Sequence, residues 1–160
     1  MDFRSRLQKA AERGQRTRDE KLRQEQAKAL SEEECKRLHS NHRLALTEHV
    51  EVCLKQLADN IPGFRCETIV DETGWGTAVS RDDIKLAKKH RENYFSRLKL
   101  VISPFNKYHV LELIAKGTIR NRESFSRKNF QRLNEVDEES FHKLIELWVL
   151  DYAEMFAAAG

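Results

Sequence analysis

The side chains best suited to chemistry lie on one run of the chain. Cys35, His39, His42, Leu46, His49 and Cys53 follow one another at steps of four, three, four, three and four. On a helix this spacing gathers them within about 80° of arc. Thiolate and imidazole are zinc ligands, and residues four apart on a helix can share an ion. One straight helix cannot surround an ion with four ligands. A closed site would therefore need Cys66, His90, His109, His142 or a second chain. A plainer reading fits the same spacing, because cysteine packs as a small hydrophobe and histidine sits half-buried on an apolar helix face. A third reading is pH sensing, since three imidazoles on a packing face would loosen it when protonated. Packing is the expectation. Cys35, His39, His42, His49 and Cys53 stand as candidate metal ligands beside it, and no cofactor is expected.

Two further clusters mix cations with rings. Lys85, Lys88, Lys89, His90, Arg91, Tyr94, Phe95, Arg97 and Lys99 form one. Arg120, Arg122, Phe125, Arg127, Lys128, Phe130 and Arg132 form the other. Basic surface with exposed rings is the chemistry of single-stranded nucleic-acid binding. Strand alternation offers a duller account, in which the rings face the core and the arginines face water. Lys88, Lys89, Arg91, Arg120, Arg122, Arg127 and Lys128 are the candidate contacts. Trp75 joins them, because a tryptophan between Gly74 and Gly76 beside a turn is either a contact residue or a ring folded over a sheet edge. Asp82 and Asp83 are adjacent carboxylates without the further spacing of a cation loop.

Signatures of catalysis are missing from the chain. It contains no G-x-S-x-G elbow, no phosphate-binding glycine loop and no H-E-x-x-H pair. The expectation is a protein that is not an enzyme.

The elements that hold these residues follow from periodicity and punctuation. The two prolines are Pro62 and Pro104, and before Pro62 the only glycine is Gly14. Residues 3–60 are rich in strong helix formers. Ser31 with Glu34 reads as a capping box, which predicts two helices or one interrupted helix, over 3–29 and 32–59. Beyond Gly63 the pattern alternates, predicting strands over 64–70, 75–79, 94–103, 108–119 and about 124–133. Residues 80–93 read either as a capped helix or as a basic loop. Asp137 is an N-cap, with Val136 and Phe141 as a hydrophobic staple, for a C-terminal helix over 138–157. The expected fold is α+β: a long N-terminal helical arm, an antiparallel sheet of four or five strands in a meander, and an amphipathic helix closing one face.

Composition sets the remaining bounds. Charged residues make up 34% of the 160, and hydrophobic residues 39%. The net charge is only +3, which gives no strong general pull toward nucleic acid or membrane. The charge concentrates in residues 4–28, where nine basic side chains face four acidic ones with few large apolar residues among them. Residues 1–30 are therefore expected to be an arm, partly disordered alone, and residues 31–160 a single domain. Three irregularly spaced cysteines argue against a disulfide framework and fit a reducing compartment. The first twenty residues lack an apolar signal core, and no stretch is long enough for a membrane span. These readings favour a cytoplasmic, non-catalytic interaction or oligomerisation module that uses its arm on a second copy or another protein. A nucleic-acid binder using the basic clusters is the alternative.

Overall fold

The computed structural model describes residues 2–87 and 90–159, and at 28–30, 85–87 and 90 the backbone element alone. The expected α+β architecture is present, with α1 at Phe3–Asn60, β1 at Arg65–Asp71, β2 at Gly74–Ala87, β3 at His90–Ile102, β4 at Val110–Ile119, β5 at Arg122–Arg132 and α2 at Glu138–Ala158. The strands form one antiparallel sheet in the order β1-β2-β3-β4-β5, so each pairs with its neighbour in sequence. The chain divides into two compact units, Met1–Arg37 and Leu38–Gly160.

Two local expectations are corrected. The capping box at Ser31 does not start a helix, because α1 runs unbroken through it. Strong helix formers on both sides let the backbone keep its i→i−4 bonds, and a serine cap cannot outcompete them. Residues 80–87 and 90–93, the described part of that stretch, form neither helix nor loop. The β2–β3 ladder carries on from Ser80↔Arg97 to Ala87↔His90, well past the last β3–β4 pair at Arg97↔Thr118. The result is a two-stranded ribbon beyond the main sheet. A ribbon wet on both faces lacks the apolar alternation that marks a strand, and Ile84 is 53% exposed there.

In the Leu38–Gly160 unit, the C-terminal part of α1 and all of α2 cover one face of the sheet. Leu46, Val50, Leu54 and Leu57 of α1 are buried, as are Phe141, Ile145, Trp148, Val149 and Tyr152 of α2. They meet Leu98, Leu100 and Ile102 of β3 and Leu111, Leu113 and Ala115 of β4, all fully buried. Asp137 caps α2 as its position predicts, accepting from the backbone N–H groups of Glu139 and Ser140. Gly117 lets α2 approach β4, since a Cβ there would lie 2.9 Å from both the Tyr152 ring and Phe125 Cβ. The β4–β5 hairpin turns on Arg120 and Asn121, whose φ angles of 50° and 70° fit a tight two-residue turn.

No described helix is long and apolar enough to cross a membrane.

Candidate functional site

The sheet face away from the helices brings together three lysines, Lys99, Lys116 and Lys128. Register places Ala78, Lys99, Lys116 and Ser126 in one cross-strand row, and Gly76, Val101, Ile114 and Lys128 in the next. Ile69, Ala78 and Val101 are buried together on this face, with Ile114 packed against them. Over this apolar floor lies a cavity of about 350 Å³ lined by Thr73, Lys99, Val101, Ile114, Lys116 and Lys128. Lysine stems shelter apolar side chains while their ammonium groups reach water. Lys99 Nζ donates to Thr73 Oγ1 at 2.8 Å. Thr73 in turn donates from its N–H and hydroxyl to Asp71, which, with Lys99 nearby, holds that carboxyl below its usual range. Among the described residues the cavity lining has no carboxylate. It can accept an anion.

The sequence-predicted contacts scatter. Lys128 belongs to this cavity. Arg122 is exposed on β5, and Arg91 is exposed on the ribbon, paired with Leu86. Arg127 folds back over the Phe125 ring at 4.4 Å, on the opposite face. Arg120 lies over Tyr94 and donates to the Ala159 carbonyl, tying the hairpin turn to the end of α2. Lys88 and Lys89 lie outside the described residues. Trp75 is half-buried on the helix side, with the Arg43 guanidinium 4.1 Å from its ring centre. Lys116 falls outside the two sequence clusters because it stands alone in an apolar strand. Its signal is the alternation of β4, which turns it to the face opposite Leu113 and Ala115.

The Cys/His stripe divides among several partners. His39 is buried, donates from Nε2 to the Ser103 carbonyl at 3.0 Å, and meets Phe105 edge-on. Burial lowers its pKa below the ordinary 6.5, against the raising effect of the Ser103 bond, with Arg43 and His42 adding to the fall. His42 Nδ1 lies 2.7 Å from Glu138 Oε1. Cys35 is half-buried and belongs to the Met1–Arg37 unit. His49 and Cys53 are joined by α2. His49 Nε2 lies 3.5 Å from Cys53 Sγ and 3.4 Å from Glu146 Oε1, and the ligand atoms of the three all fall within 4.8 Å of one another. His142 stacks on His49 with ring centres 4.2 Å apart. Burial raises the Cys53 thiol pKa, and the Glu146 charge adds to it.

Beside this group a cavity of about 440 Å³ opens between α1 and α2, lined largely by apolar side chains including Leu57, Ile61, Val149 and Leu150. Leu147 and Leu150 remain 50% and 65% exposed on the outer side of α2. Comparison with protein-family models, with curated protein sequences and with solved structures finds no match to this chain.

Proposed function

We propose that this chain is a non-catalytic interaction module. The α+β body is the folded platform, and the N-terminal stretch of α1 orders against another protein, a second copy being the simplest case. The exposure of that stretch carries the reading. From Asp2 to Ala27 every side chain but Ser5 is exposed, including Phe3 at 73%, Leu7 at 58% and Leu22 at 50%. Such a helix draws almost no stability from burial within its own unit, and helices in water owe most of theirs to packing. Phe3, Leu7, Ala10, Ala11, Gly14 and Leu22 fall within about 120° of arc, a side on which a second helix can seat. Leu147 and Leu150 add exposed apolar surface on the body.

The test is the mass of the full chain in solution by size-exclusion chromatography with light scattering. The expected result is an assembly that a Leu7→Asp, Leu22→Asp double variant dissociates, with helix content falling as the arm loses its partner. A strict monomer whose double variant keeps every binding partner would count against the proposal.

A second reading has its own observation, the Lys99, Lys116 and Lys128 cavity on the open sheet face. This favours a polyanion, single-stranded nucleic acid above all, with Phe130 exposed at 63% on the same face as a stacking surface. Affinity for mixed-sequence RNA should then fall steeply with salt, with a slope of roughly −0.7 per phosphate neutralised. Absence of binding at low salt disposes of it.

A further inference from the structure

His49 and Cys53 stand one turn apart on α1, and His142 and Glu146 one turn apart on α2. Each helix thus offers an i,i+4 pair to the other. A tetrahedral zinc ion holds nitrogen at about 2.0 Å, carboxylate oxygen at about 2.0 Å and sulfur at about 2.3 Å. Those bond lengths put nitrogen and sulfur about 3.5 Å apart, and nitrogen and oxygen about 3.3 Å apart. The separations here are 3.5 Å from His49 Nε2 to Cys53 Sγ and 3.4 Å from His49 Nε2 to Glu146 Oε1. An ion pair alone accounts for His49 with Glu146. It does not account for a buried cysteine sulfur at the same nitrogen. Nor does it account for His142, whose Nε2 is buried and meets no hydrogen-bond partner among the described residues. A buried imidazole nitrogen without a partner is costly to keep.

We propose that this cluster is a zinc site clasping α1 to α2. His49, Cys53 and Glu146 supply three ligands, and His142 supplies the fourth after a rotation of its side chain off the His49 ring. On binding, the Cys53 thiol releases its proton to solvent and ligates as thiolate, while Glu146 ligates as carboxylate and the histidines as neutral imidazoles. The donor set of two nitrogens, one sulfur and one oxygen suits zinc above calcium or magnesium, which take oxygen cages. The site joins a helix from each side of one interface, so zinc should hold the Leu38–Gly160 unit together rather than perform chemistry.

The experiment is metal titration of the full chain with cobalt(II) as a spectroscopic probe, followed by displacement with zinc. The expected result is one equivalent bound per chain, with intense visible bands of tetrahedral cobalt and a near-ultraviolet thiolate-to-cobalt band. Cys53→Ser should lose the thiolate band. His142→Gln should retain it while weakening affinity for the metal. His42→Gln, which alters a histidine outside the cluster, should bind as the parent does. Circular dichroism of each variant separates loss of ligand from loss of fold. A parent chain that takes up no cobalt and no zinc overturns the proposal even if every variant misfolds. So does a thiolate band that survives Cys53→Ser.

Discussion

Lys99 and Lys116 stand directly opposite each other on β3 and β4, two like charges in one cross-strand pair. Like charges so placed destabilise a sheet, and an opposite pair there contributes roughly 0.2–1 kcal/mol. Lys116→Glu should therefore raise stability by about 0.5–1 kcal/mol at low salt, read from the urea midpoint. The gain should shrink as salt is added. The same variant should weaken any anion binding in the cavity between them. A stabilised variant that binds anions as tightly as the parent would separate the charge pair from the site.

Tyr152 and Gly117 test how closely α2 seats on β4. The buried Tyr152 hydroxyl donates to the Thr118 carbonyl at 2.7 Å, and burial pushes its pKa far above the ordinary 10. Tyr152→Phe leaves that carbonyl without its donor and should cost about 1–3 kcal/mol. Gly117→Ala forces a methyl against the Tyr152 ring and should cost about 1–3 kcal/mol. Chemical denaturation of both single variants and the double variant gives the coupling. Strict additivity would show that the hydroxyl's bond to Thr118 and the ring's seat on Gly117 act independently.

His39 makes stability depend on pH in a defined direction. Its folded pKa lies below 6.5, so the unfolded chain takes up the proton first as pH falls. Its stabilising contribution is complete above pH 6.5 and is lost as pH drops through the lowered folded value. Denaturation midpoints between about pH 7.5 and about pH 5.5 should decline, and His39→Gln should flatten part of that decline. A variant with the parent's full slope would assign the dependence to other groups.

Cysteine reactivity should follow burial. Cys53 is 8% exposed and its thiol is raised by burial first, so at neutral pH it should be alkylated last. Cys66 is exposed and should react ahead of it, although its own thiol is also raised. Mass spectrometry of a timed iodoacetamide reaction reads the order. Early labelling of Cys53 would mean that the α1–α2 interface opens readily.

The order and type of the main elements were legible in the residues themselves. Asp137 with Val136 and Phe141 marked the start of α2, and alternation in Leu98, Leu100 and Ile102 marked the buried side of β3. These signals are local, since a cap and a two-residue period depend on the chain's nearest neighbours alone. The Ser31 capping box misled because a helix end is a competition, and unbroken helix-forming sequence on both sides won it. The β2–β3 ribbon stayed ambiguous because its pairing comes from the other strand rather than from its own pattern. The candidate sites were decided by tertiary structure. Cys53 and Glu146 are 93 positions apart, and Lys99 and Lys128 lie on strands separated by β4. Spacing along one helix could name His49 and Cys53, but only helix packing chose Glu146 and His142 to face them. Charge clusters in sequence likewise could not tell Lys128, which lines the cavity, from Arg127, which faces the other way, because strand register sets the face of every side chain.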